Sequence, residues 1–167
     1  MKSYIVIIIL IIIIIVYGKY YTNYNKDIKI LQVYLDNIKL DILYERYPIL
    51  IYDQVYNHKQ LMNTLFAYSY LFTKTAIISP SIPLINNSKY ILISSADNTI
   101  INIINPKYKD DAKKNLKFED TSMQYVSIKL QPKQVLILPS RWIYQSKDEL
   151  IITKLDDILS FVFLRLV

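Results

Sequence analysis

The hydrophobic pattern divides the chain into a short continuous run and a long body of interrupted ones. Residues 4–17, YIVIIILIIIIIVY, are fourteen positions without a charge. As a helix they extend about 21 Å, short of the ~30 Å hydrocarbon core of a bilayer. Gly18, with Lys2 and Lys19 snorkelling, brings the run close to a span. Tyr4 and Tyr17 close its two ends and Tyr20, Tyr21 and Tyr24 follow, where interfacial aromatics belong. A secretory segment has a similar length but needs small residues at a cleavage site. After Val16 the chain reads YGKYYTNY, so the expectation is an uncleaved, single-pass signal-anchor over residues 1–21, with the lipid bilayer as partner. Lys19, Lys26 and Lys29 outnumber Lys2 and the α-amine, which leans towards a cytosolic C-terminal domain and leaves the side of the membrane open.

Beyond the anchor, Ile28, Leu31, Leu35, Ile38 and Ile42 recur at spacings of 3, 4, 3 and 4, a helical face. Ile38, Leu40 and Ile42 also alternate like a strand, so residues 22–44 predict a membrane-proximal helix that turns extended near Leu40. Residues 48–52 read as a buried strand, and 57–71 as a helix with Leu61, Leu65 and Tyr68 on one side. From Thr73 onward the runs shorten: 75–79, 90–94, 99–104, 124–130, 134–138, 142–145, 150–153 and 159–166. Ser79-Pro80, Ile82-Pro83, Asn86-Asn87, Asp97-Asn98, Asn105-Pro106, Asp110-Asp111 and Gln131-Pro132 punctuate them. Many short strands with regular turns predict a mainly β domain over residues 45–167, a sandwich or barrel with one or two short helices.

Composition removes most site chemistry. Among 167 residues there are one glycine, one histidine and no cysteine. Gly18 is the only glycine, so a P-loop, a dinucleotide fingerprint, an EF-hand loop and a nucleophile elbow are excluded. With His58 alone, zinc, blue-copper and iron–sulfur sites are excluded as well. Disulfides are impossible, and Asn or Asp must supply left-handed turn positions. Asn87, Asn98 and Lys133 are the residues expected there. The net charge is +6, but 17 Lys against 3 Arg, spread along the chain, describe a solvated surface. No nucleic-acid partner is expected, because arginine clusters and basic–aromatic interleaving are missing.

Residues 131–145, QPKQVLILPSRWIYQ, resemble the closing hairpin of the cupin-like (JmjC-type) oxygenases. That family runs Pro-Gly-Asp, an apolar strand, Pro, two residues, then Trp-aromatic-His. Pro132, residues 135–138, Pro139 and Trp142 match it. Ile85, Asn87, Lys89 and Leu92 resemble the family's Ile-x-Gly-x-Lys-x-x-x-Leu strand, and residues 47–50 its opening extended segment. The resemblance implies a double-stranded β-helix, or jelly roll. It implies that Lys89 occupies the position of the lysine that binds the carboxylate of 2-oxoglutarate. It also places the iron ligands, a His-x-Asp/Glu pair and a later His, near Lys74 and Ala76 and at Tyr144. None of those three is a ligand of that set, and both family glycines are replaced, by Asn87 and Lys133.

Lys89 is therefore the one retained cofactor-binding candidate, vestigial; no catalytic residue, metal ligand or cofactor is expected. Trp142 reads as core and His58 as a surface helix residue. Asp110-Asp111 and Asp156-Asp157 read as solvated turns rather than a glycosidase pair. Asn86-Asn87-Ser88 is a glycosylation sequon. The expectation is a membrane-anchored, non-enzymatic cupin-like domain that serves as a structural or interaction module. Its protein partner would bind through the β domain. The bias towards Ile, Lys, Asn and Tyr fits an AT-rich genome such as that of a large DNA virus. The rival expectation is a membrane-tethered Fe(II)/2-oxoglutarate oxygenase relative with residual cosubstrate or metal binding.

Overall fold

The computed structural model describes residues 2–22, 24, 27–38, 40–55, 58–66, 72–113 and 123–166. The chain opens with helix α1 (Lys2–Thr22), followed by strand β1 (Leu31–Val33), a 3₁₀ turn (Leu35–Asn37), α2 (Leu40–Tyr44), β2 (Ile49–Ile51) and α3 (His58–Phe66). Eight strands come next: β3 (Phe72–Ile78), β4 (Leu84–Ile85), β5 (Tyr90–Ser94), β6 (Thr99–Ile104), β7 (Tyr125–Leu130), β8 (Val135–Pro139), β9 (Ile143–Gln145) and β10 (Leu150–Asp156). A 3₁₀ turn (Pro106–Tyr108) and α4 (Lys109–Lys113) interrupt them after β6, and α5 (Ile158–Leu166) follows β10.

The pairings identify the architecture. β3 lies antiparallel to β10, β4 to β9, β5 to β8 and β6 to β7, as if one long hairpin had been rolled up. Cross-pairs β5–β10 and β6–β9 complete the two sheets, ordered β1-β2-β8-β5-β10-β3 and β4-β9-β6-β7. Eight antiparallel strands alternating between two sheets in this order make a jelly roll, the cupin-like arrangement. The mainly β reading of the sequence holds.

Alternation decides what lies between the sheets. Ile91 and Ile93, Ile101 and Ile103, Leu136 and Leu138, and Leu150 and Ile152 point inward, joined by Leu50, Ile128, Leu130, Trp142 and Tyr144. The partners of the β5 residues alternate the other way. Tyr90 and Leu92 belong to a second core on the outer side of the six-stranded sheet, with Leu61, Leu65 and Phe66 of α3. That is why β5 and β8 are buried along their whole length.

Three sequence expectations fail in instructive ways. Residues 28–42 do not form a helix. Leu31–Val33 pairs in parallel with Ile49–Ile51, and Leu31, Val33, Leu35, Ile38 and Ile42 reach the outer core from a strand, a 3₁₀ turn and a helix in succession. Residues 159–166 are helical rather than extended. Asp157 caps the helix by accepting the Ser160 N–H at 2.7 Å, and Ser160 Oγ returns by accepting the Asp157 N–H at 3.0 Å.

The third is the membrane anchor. No helix among the described residues is long and apolar enough to cross a membrane. The far end of α1 is also committed to the domain: the Tyr17 ring lies 6.1 Å from that of Phe163, and its hydroxyl donates to Asp157. The turn that was to lengthen the span is thus packed on protein, and the expected single-pass membrane location is corrected.

Turns solve the lack of glycine differently from the expectation. Among the described residues Arg46 (φ 57°), Lys133 (φ 68°) and Arg141 (φ 70°) are left-handed, while Asn87 and Asn98 are not. In residues 131–134 the Gln134 N–H donates to Gln131 O at 3.1 Å, with Pro132 second and Lys133 third. This is the type II pattern, whose third position favours glycine. Lys133→Gly should therefore raise stability by about 0.5–1 kcal/mol, read as a higher denaturant midpoint at unchanged slope. A lower midpoint would mean that the Lys133 side chain outweighs its backbone strain.

Candidate functional site

One end of the sandwich gathers the chain's buried charge. The β8–β9 corner consists of Ser140, Arg141 and Trp142, and three segments are tied to it. Ser140 N–H donates to Lys89 O at 3.0 Å, and Arg141 N–H to Asn86 O at 2.8 Å. Arg46, only 8% exposed, donates from one guanidinium nitrogen to Ser140 Oγ at 2.6 Å and from the other to the Tyr20 carbonyl. Its guanidinium also lies 5.1 Å from the centre of the Tyr20 ring. The indole N–H of Trp142 donates to Arg46 O at 3.0 Å.

Asn86 completes the stitching. Its amide nitrogen donates to Leu138 O and Pro139 O, each at 2.9 Å, and its amide oxygen accepts from Ser88 N–H. The sequon asparagine is 2% exposed with its amide group engaged, so the folded chain offers no acceptor for a glycan there.

Lys89 lies just before β5. Its backbone N–H donates to Asp156 Oδ1 at 2.8 Å, and its ammonium pairs with Asp157 Oδ2 at 2.7 Å. Tyr17 donates to the same carboxylate at 2.6–2.7 Å. The side chains of Lys89 and Asp157 are 22% and 20% exposed. The lysine whose resemblance implied a cosubstrate carboxylate is thus paired with a carboxylate of its own chain. Burial alone would raise the Asp157 pKa, but bonds from Lys89, Ser160 and Tyr17 hold it below the ordinary value of 3.8. Asp156-Asp157 is accordingly no solvated turn; Asp156 is buried and accepts from Ser160 Oγ at 2.9 Å.

The residues at the expected iron positions do not converge. Lys74 and Ala76 sit on β3, an edge strand, and the Lys74 side chain is exposed. Tyr144 is buried between the sheets, where desolvation pushes its pKa up to about 12. Alanine offers no donor atom, so this set does not fit an iron held by a facial triad. Among the described residues no group of three or more His, Cys, Asp and Glu could hold a metal ion. His58 begins α3, and its side chain lies outside the described residues.

Arg141 was not foreseen. Its Nε is buried and without a hydrogen-bond partner, and burial lowers its pKa while Tyr24 opposes the shift. Only its place between Pro139 and Trp142 in the resembling segment set it apart. Arg46 gave no signal beyond being one of three arginines.

No family model and no curated protein matches this sequence. Solved structures with a similar strand arrangement include dTDP-4-dehydrorhamnose 3,5-epimerase from Bacillus anthracis with TDP and PPi bound. It is 16% identical, with a TM-score of 0.33 over 61% of either chain. RmlC from Streptococcus suis in complex with dTDP-D-xylose is 9% identical, with a TM-score of 0.32 over 59% of this chain and 53% of its own. The non-heme α-ketoglutarate-dependent epimerase SnoN from nogalamycin biosynthesis is 9% identical, with a TM-score of 0.35 over 63% and 56%. The chain thus spans under two thirds of each. At these identities the likeness concerns the fold alone. Two of these structures are named as epimerases, and the expectation of a chain without enzymatic activity, which rested only on one missing set of iron ligands, is withdrawn.

Acid should act through Asp157. Its folded pKa is depressed, so its contribution is complete above the unfolded pKa and is lost as pH falls through the folded value. Asp157→Asn should cost about 1–3 kcal/mol at pH 7. That gap should stay constant down to about pH 5 and narrow steadily below about pH 4 in urea titrations. A gap independent of pH would show that the carboxylate charge is not what the site uses.

Proposed function

We propose that this chain is an assembly module, a jelly-roll domain that presents α1 to a protein partner. The observation that supports the reading is the surface of α1. Every position from 4 to 16 is exposed and apolar, so the apolar surface runs round all sides of the helix. A helix that is apolar all round is stable only when buried, and no helix among the described residues is long and apolar enough to cross a bilayer. Its other end is fixed to the domain through Tyr17 and Tyr20, so the helix projects from a rigid base. The core of an obligate protein interface has this apolar character.

A photoreactive diazirine residue at Ile9 in the full chain tests the reading in the cells that express it. The expected result is discrete protein adducts heavier than the 19.8 kDa chain, absent when the probe is moved to exposed Asp97. Labelling of lipid alone, or equal adducts from Asp97, would overturn it.

A second reading concerns the β8–β9 corner, where the buried, unpartnered Arg141 Nε is what a small anion would satisfy. Titration with inorganic phosphate followed by calorimetry tests it. Saturable binding that is lost in Arg141→Gln supports the corner as a ligand site; no binding by the native chain ends that reading.

A further inference from the structure

The six-stranded sheet ends on β3, and among the described residues no strand pairs with that edge. β3 pairs with β10 without a break from Phe72↔Asp156 to Ile78↔Leu150, so it has no bulge. It contains no proline and a single charge, Lys74. Five of its seven residues are exposed, Ile77 by 61%, and no described strand lies on its other side. Stable edges are normally short, charged, kinked or covered. At the opposite end of the same sheet, β1 has three residues.

We infer that the edge is covered by β3 of a second copy of this chain, antiparallel about a twofold axis at Thr75. Backbone geometry and charge select this register. In an antiparallel ladder directly opposed residues must both direct their peptide groups at the partner or both away from it. A strand pairing with itself can therefore be centred only on a residue, never between two. Centring on Lys74 sets two ammonium groups face to face and overlaps five residues. Centring on Ala76 also overlaps only five. Centring on Thr75 overlaps all seven and sets Lys74 opposite Ala76, so like charges never meet.

The same register is complementary in shape. It places Phe72 opposite Ile78, and Thr73 opposite Ile77, covering the two most exposed apolar side chains of the strand, Phe72 and Ile77. Thr75 would face its own copy, as it already faces Thr153 across β10 with the two hydroxyls 3.1 Å apart. A continuous twelve-stranded sheet results, two six-stranded sheets joined edge to edge. The inference does not rest on the proposed role of α1, which concerns a different surface.

The absence of cysteine makes the test direct. In the otherwise native full chain, Thr75→Cys should form an intermolecular disulfide in a glutathione buffer at low micromolar concentration, giving a species of twice 19.8 kDa. Thr73→Cys alone should not, whereas Thr73→Cys mixed with Ile77→Cys should. Linking of Thr75→Cys no faster than of the exposed Ile100→Cys would overturn the pairing, and so would equal linking of Thr73→Cys alone. If Thr75→Cys fails to fold, hydrogen exchange of the native chain decides. Protection of alternate β3 amides that grows with protein concentration supports the pairing, and its absence refutes it. Repeating the Thr75→Cys experiment with Ile8→Ser and Ile12→Ser separates the two proposals. Unchanged linking keeps the strand pairing whatever α1 does, and lost linking removes it as an independent contact.

Discussion

The buried guanidinium of Arg46 is the contact on which the arrangement of this molecule depends. A charge taken out of water is costly unless it is fully paired with hydrogen-bond acceptors or an opposite charge. Arg46 meets that demand with groups from separate parts of the chain, the Tyr20 carbonyl and ring at the end of α1 and Ser140 at the β8–β9 corner. Its own carbonyl then receives the indole N–H of Trp142, the largest side chain between the sheets. One residue thereby fixes the base of α1, the approach to β2 and the end of the sandwich. Ile30 and Tyr47, packed against the inner core, fill the same structure from the N-terminal arm.

The fold shows how a jelly roll is built almost without glycine. Its corners need left-handed backbone, and arginine and lysine supply it at Arg46, Arg141 and Lys133. All three are basic, and the Arg46 side chain also bonds to Ser140 at the β8–β9 corner. Asn86 supplies the rest by using its amide to satisfy carbonyls that a tighter, glycine-bearing turn would pair with backbone. Strain accepted in the backbone is offset by side-chain hydrogen bonds to the same corner.

What could be read from the residues follows from the range of the interactions involved. β5 and β6 were legible to the residue, because Asn-Asn and Asp-Asn turns bound apolar runs of strand length. The corner at Pro139 and Trp142 was legible through its resemblance. α5 was misread because Phe161, Val162 and Phe163 favour strands, while the capping pair Asp157 and Ser160, three residues apart, was the signal that outweighed them. Residues 28–42 were misread because parallel pairing with β2 is a contact across more than fifteen positions, invisible to local periodicity. The site suffered most. Lys89 stands out in the sequence only through the resemblance, while its partner Asp157 lies 68 positions away, and Arg46 reaches Ser140 across 94.

Trp142 offers the most direct test that the chain's own N-terminal arm closes the end of the sandwich. It is the only tryptophan, so its indole N–H gives a single resolved signal. Hydrogen exchange of that proton should be as slow as that of the most protected β5 and β8 amides, because the bond to Arg46 opens only when the domain unfolds. Exchange at the rate of an exposed indole, while those amides stay protected, would contradict the closed arrangement and the role given to Arg46.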